Sequence, residues 1–168
     1  MTKTYTFRTA ALSLLIVVGA ASTALADSNR VSIKQWGFNH SIGAQQGGRL
    51  NRLDIIQNGR GNLQIHTQDG RRNSVTATQS GHRNDIFTGQ NGTRNRTVVG
   101  QQGRGNAAVT SQNGHCNVAG VAQFGRNNGA SVAQNGHCNA IGVIQAGNGN
   151  RATTTQTGRG NVAVIVQD

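Results

Sequence analysis

The residues best equipped for chemistry are two cysteines. Cys116 and Cys138 stand in identical Gln-Asn-Gly-His-Cys-Asn contexts two repeats apart, with His115 and His137 beside them. Two thiols and two imidazoles offer a disulfide, a pair of free thiols, or a four-ligand metal set. Acid-base chemistry finds less. Asp27, Asp54, Asp69, Asp85 and Asp168 are the only acids, and they are scattered. No glycine-rich loop ends in Lys-Ser or Lys-Thr, and no spacing brings Ser, His and Asp together. The reading is therefore a non-enzymatic protein without catalytic residues, resident metal or cofactor. What the chain has in abundance is amide and guanidinium. Gly, Asn and Gln supply two-fifths of the sequence from Asp27 onward, and 13 Arg with Lys34 oppose five Asp, a formal +9 for that segment.

Such a composition alone would predict disorder, but the amides keep a strict phase. Gln35, Gln46, Gln57, Gln68, Gln79, Gln90, Gln101, Gln112, Gln123, Gln134, Gln145, Gln156 and Gln167 are spaced by 11 without an insertion or deletion. Two residues after each of the first twelve comes Gly37, Gly48, Gly59, Gly70, Gly81, Gly92, Gly103, Gly114, Gly125, Gly136, Gly147 or Gly158. Six residues before each Gln comes Asn29, Asn51, Asn62, Asn73, Asn84, Asn95, Asn106, Asn117, Asn128, Asn139, Asn150 or Asn161, with His40 as the one exception. The unit is Asn-x-apolar-x-apolar-x-Gln-x-Gly-x-x, written thirteen times. A fixed period of this kind marks a repeat architecture and outranks the disorder prior.

Positions are numbered here from the Asn as 0. Asn at 0, apolar residues at 2 and 4, and Gln at 6 share one face of an extended chain, because strand side chains alternate. Each unit reads as a strand of about seven residues, followed by a four-residue corner where Gly at position 8 takes positive φ. The fold class is all-β: a two-sided β-solenoid of thirteen 11-residue units, 22 residues per turn, with turns stacked about 4.8 Å apart.

Alternate units place Val31 and Ile33, Leu53 and Ile55, Val75 and Ala77, Thr97 and Val99, Ala119 and Val121, Ile141 and Val143, and Ala163 and Ile165 inside one wall. The facing wall holds smaller residues, and one of its units puts Gln64 and His66 inward with Leu63 and Ile65 outward. A one-residue slip would cure that unit's apolar pattern only by breaking the amide phase, so the phase should win. Inward Gln and Asn are expected to stack on their copies as amide ladders, which removes the cost of about 1–3 kcal/mol that an isolated buried amide would carry.

Residues 1–26 read as a secretory signal peptide. Lys3 and Arg8 precede an apolar run over residues 10–21, and Ala24-Leu25-Ala26 ends it with small residues. The run is too short to span a bilayer, so no integral membrane protein is expected. The repeat domain occupies residues 27–168, exported from the cytoplasm.

The corners carry the charge. Arg49, Arg60, Arg71, Arg104, Arg126 and Arg159 stand three residues after a Gln, His82, His115 and His137 share that offset, and Arg72, Arg83 and Arg94 come one later. Folded as above they line the narrow edges as basic columns. Two roles remain open for them: like-charge repulsion that slows aggregation, or capture of extracellular polyanions. Cys116 and Cys138 fall on consecutive turns with Cα atoms about 4.8 Å apart, within disulfide range, although parallel Cβ vectors would leave two free thiols.

The units Asn51-Arg-Leu-Asp-Ile-Ile-Gln57-Asn-Gly59 and Asn161-Val-Ala-Val-Ile-Val-Gln167 resemble curlin repeats, the strand-loop-strand units of curli fimbrial subunits. The resemblance covers residues 29–167. It implies a secreted subunit, of major or nucleator type, that polymerises into cross-β functional amyloid at the cell surface and serves adhesion and biofilm matrix. It also implies partners: further copies of itself, a second curli-type subunit, and an outer-membrane export pore with chaperones. The family's major subunit often begins a repeat with Ser where this chain has Asn, and mature curli subunits usually carry an unstructured export segment before the first repeat, whereas only Asp27 and Ser28 precede Asn29 in the expected mature chain. From the residues themselves, thirteen units leave no room for end caps, so the first and last rungs should accept further molecules. The competing reading is a monomeric β-solenoid presenting a flat array, such as Thr76 and Thr78 or Thr153 and Thr155, to glycan, ice or a host ligand.

Overall fold

The computed structural model describes residues 28–168; the predicted signal peptide lies outside the described residues. Thirteen strands follow one another: β1 (Arg30–Phe38), β2 (Ser41–Gln46), β3 (Arg52–Arg60), β4 (Leu63–Arg71), β5 (Ser74–His82), β6 (Asp85–Thr93), β7 (Arg96–Arg104), β8 (Ala107–His115), β9 (Val118–Arg126), β10 (Gly129–His137), β11 (Ala140–Asn148), β12 (Arg151–Arg159) and β13 (Val162–Gln167). Odd strands form one parallel sheet in the order β1-β3-β5-β7-β9-β11-β13, and even strands form the other, β2 to β12. Wherever two strands pair, each residue lies against its equivalent one turn on, so Gln57 lies against Gln79 and Gln90 against Gln112. The two-sided solenoid with two units per turn is the observed architecture.

The corner differs from expectation. Eleven strands run nine residues rather than seven, because the ladder continues through Gly at position 8 and the residue after it. Only two residues then separate most strands, such as Gly61 and Asn62 between β3 and β4. Two left-handed backbone sites do the bending. The first is Gly at position 8, as at Gly59 with φ 114°. A Cβ there would overlap the carbonyl oxygen of Gly81 one turn on, so stacking as well as φ demands glycine. The second is position 10, where Leu50, Arg72, Arg83, Arg94, Cys116, Asn127 and Cys138 take φ between 52° and 59° alongside Gly61 and Gly105.

The core between the sheets is two side chains thick. Leu53, Ile55, Val75, Ala77, Val99, Ala119, Val121, Ile141 and Val143 are buried from one wall, and Ile42, Ile86, Ala108, Ala130, Val132 and Ala152 from the other. Val31, expected inside, is 47% exposed because β1 is an end strand with one neighbour. The off-pattern unit keeps the amide phase: Gln64 and His66 are buried while Ile65 is exposed. Its polarity is internally matched, since His66 Nε2 donates to Gln64 Oε1 at 3.0 Å, and His66 Nδ1 accepts from the Thr88 hydroxyl at 2.7 Å. Gln64 Nε2 donates to the Ile56 carbonyl at 3.1 Å.

Candidate assembly edges and basic corners

The Gln columns are continuous ladders with one polarity. In the odd sheet Gln35 Nε2 donates to Gln57 Oε1 at 3.1 Å, and the series runs through Gln79, Gln101, Gln123 and Gln145 to Gln167. The even sheet repeats this from Gln46 through Gln68, Gln90, Gln112 and Gln134 to Gln156. Most of these amides use their second N–H on a backbone carbonyl of the preceding half-turns, as Gln79 does on Leu63 at 3.0 Å. Each such bond joins one sheet to the start of the other. The amide is thereby satisfied in a dry core, where an orphan would be costly.

The Asn columns are amide-to-amide ladders only in part: Asn84 Nδ2 donates to Asn62 Oδ1 at 3.4 Å and Asn139 Nδ2 to Asn117 Oδ1 at 3.2 Å, whereas most Asn contacts go to the backbone. Asn sits in the corner, where the backbone groups around it lack strand partners, and its side chain supplies them. Asn51 Oδ1 accepts the Asn73 N–H at 2.9 Å, and Asn73 Nδ2 donates to the Asp69 carbonyl at 2.9 Å and the Gly92 carbonyl at 3.0 Å. The same three contacts recur at Asn62, Asn95, Asn106, Asn117, Asn128 and Asn139. His40 reproduces the pattern: Nε2 meets the Trp36 carbonyl at 2.9 Å and Nδ1 accepts the Asn62 N–H at 3.2 Å. An Nε2–H imidazole thus offers one donor and one acceptor at the Asn positions, an equivalence that residue type alone does not suggest.

At the end rungs the ladders stop with groups unused among the described residues. Gln156 and Gln167 donate to the Ala140 and Arg151 carbonyls at 3.2 and 3.1 Å, and no Gln stands above them. Asn150 and Asn161 receive no backbone N–H from a further turn. The opposite face carries the complements, the acceptor Oε1 atoms of Gln35 and Gln46 and the N–H groups of Asn29 and His40. Among the described residues β12 and β13 at one end, and β1 and β2 at the other, each have a single hydrogen-bonded neighbour.

The basic residues divide between two narrow edges. Arg60, Arg104 and Arg126 close odd strands, with His82 between the first two, so Arg104 and Arg126 are adjacent rungs. Arg71 and Arg159 close even strands and Arg49 lies just past β2, with Thr93, His115 and His137 between Arg71 and Arg159. The single column expected for each edge is thus interrupted. Clusters form where position 10 adds charge: Arg72 and Arg94 beside Arg49 and Arg71, and Arg83 beside Arg60 and Arg104. The latter three, with His82, Asn39 and Gly61, line a shallow cleft. Repulsion from Arg49 and Arg72 is the main reason the Arg71 guanidinium has a lowered pKa. Among the described residues the only ion pair is Arg52 with Asp54, at 2.5 Å on a strand face. Cys116 and Cys138 are joined by a disulfide with a Cα separation of 4.6 Å, and their flanking His115 and His137 rings lie 6.3 Å apart. No group of three or more metal-ligating side chains occurs among the described residues. Nor is any helix among them long and apolar enough to cross a membrane.

Residues 106–136 and 125–158 match the family model of the curlin associated repeat. No curated protein matches the chain. The matched residues span β8 to β12, and the hydrogen bonds and register there are those of the whole series from β3 to β11. Residues 106–158 thus carry the curlin associated repeat.

Proposed function

We propose that this chain is a secreted structural subunit that polymerises head to tail into curli-like cross-β fibres, serving cell adhesion and biofilm matrix. The observation that carries the reading is the complementarity of the two end rungs. Amide donors at Gln156 and Gln167 face one way and amide acceptors at Gln35 and Gln46 face the other, on strands that each have one free edge among the described residues. Open parallel edges of this kind are templates for another copy, and a heterologous contact that does not close produces a filament. The curlin associated repeat supports a curli-type structural subunit; export through an outer-membrane pore and association with a second curli-type subunit belong to the same proposal.

The basic corners serve both stages. In the dispersed chain they repel one another; stacked at about 4.8 Å per rung they present dense cation arrays to anionic polymers. Fibre diffraction after incubation of residues 27–168 tests the reading. Reflections at about 4.8 Å along the fibre and at about 10 Å across it are expected. A persistent monomer with stable β-type circular dichroism would instead establish a surface-binding solenoid.

A further inference from the structure

Among the described residues the strand count is odd, thirteen, and this constrains how copies can join. Strands alternate between the sheets at half-turn intervals, with β1 at the bottom of the odd sheet and β13 at its top. The topmost strand of the even sheet is β12, half a turn lower. The next vacant half-turn is therefore in the even sheet, above β12. Resting on the fibre reading above, we infer that each added copy is rotated by half a revolution about the fibre axis. Its β1 lies on β12 of the preceding copy, its β2 lies on β13, and odd and even sheets alternate along each face of the fibre.

Hydrogen bonding selects this placement. Gln156 Nε2 then meets Gln35 Oε1 of the added copy, and Gln167 Nε2 meets its Gln46 Oε1. Asn150 and Asn161 Oδ1 receive the N–H groups of its Asn29 and His40, as Asn51 Oδ1 receives that of Asn73 within one chain. An unrotated copy would set β1 on β13 and leave an empty half-turn between β12 and the added β2. Gln156, Asn150 and the whole outer edge of β12 would then face a gap one strand deep, with buried polar groups left without partners. The rotated junction also covers Val31, half-exposed in the single chain, against Ala152, an inward residue of the other wall. The units differ in side chains but share one backbone path, so the 11-residue pseudo-repeat that relates neighbouring units within a chain also relates the copies.

Two outward positions report the choice. Lys34 on β1, Thr155 on β12 and Val166 on β13 all occupy position 5 and are exposed. With the native disulfide intact, the chain carrying Lys34→Cys and Thr155→Cys should be converted by a short bismaleimide into a covalent ladder once assembled. The chain carrying Lys34→Cys and Val166→Cys should stay monomeric on a denaturing gel. The reverse result in assembled chains would establish unrotated stacking and overturn the proposal while leaving the fibre reading intact. Ladders from both variants, or from neither, would overturn it as well, and failure of every chain to assemble would remove the fibre reading with it. Helical reconstruction of fibres from the unsubstituted chain provides a second measurement. Rotated copies give a rise of about 31 Å per subunit with a rotation of half a revolution, and unrotated copies a rise of about 34 Å with only the accumulated sheet twist.

Discussion

Acidification should raise the solubility of this chain beside its fibres through one imidazole. His66 points into the core of β4, is 1% exposed, and has its pKa lowered from 6.5 to about 4 by desolvation. Its two ring nitrogens are already committed in the neutral form, Nε2–H to Gln64 and Nδ1 to the Thr88 hydroxyl. Between pH 6.5 and 4 the unfolded chain binds a proton that the folded chain refuses, so stability is full above about 6.5 and falls as the pH drops. The loss levels off below about 4, at about 3 kcal/mol for a shift of this size, and by pH 5 it reaches about 2 kcal/mol. That corresponds to about a thirtyfold rise in the concentration of chain left in solution beside fibre. Sedimentation of assembled chain equilibrated at pH 7.5 and pH 5 measures it directly. His66→Thr installs the residue found at the equivalent places in β6 and β8, Thr88 and Thr110. It should flatten the dependence to that of the remaining groups. Equal pH dependence in parent and variant, or lower solubility of the parent at pH 5, would refute the argument.

Three further outcomes follow from the corners. Gly81→Ala should block assembly, because its Cβ would overlap the Gly103 carbonyl at a residue with φ 112°; dye-monitored growth checks this. Leu50→Gly should stabilise the fibre by about 1 kcal/mol, since Leu50 holds φ 59° with an L side chain; residual solubility should fall about fivefold. Changing Arg49, Arg60, Arg71, Arg104, Arg126 and Arg159 together to Gln should greatly weaken salt-sensitive binding of DNA and alginate to preformed fibres, and equal binding by both fibres would leave those arginines as aggregation gatekeepers alone.

The stacking is legible in the sequence because Gln, Gly and Asn each recur at one phase of an 11-residue period, and even offsets put Gln57 and Leu53 on the same face. The bend is less legible. Alternation reports which face a side chain takes but not where the backbone turns, so it predicts a corner at Gly59 although that residue lies inside β3. Position 10 carries a usable signal, because Gly61, Gly105, Gly149 and Gly160 recur there, but Arg72 and Cys116 at the same place obscure it. The role of Asn51 escapes the pattern because inward amides suggest side-chain ladders, whereas the corner exposes backbone groups that a short amide reaches first. His40 looks like a lapse in the motif because residue type conceals that an imidazole can serve the same two partners. The disulfide is undecided at the level of spacing for a similar reason: two cysteines one turn apart have a determined Cα separation but not a determined direction of the sulfurs.

Templating by the end rungs is tested most directly by seeded growth of residues 27–168 followed with a cross-β dye. Fragments of preformed fibre should abolish the lag, whereas fragments of an unrelated cross-β fibre should not, since they lack Gln and Asn groups in the 11-residue phase. A lag unaffected by homologous seeds, or equally shortened by unrelated ones, would contradict assembly through the rungs of Gln35, Gln46, Gln156 and Gln167.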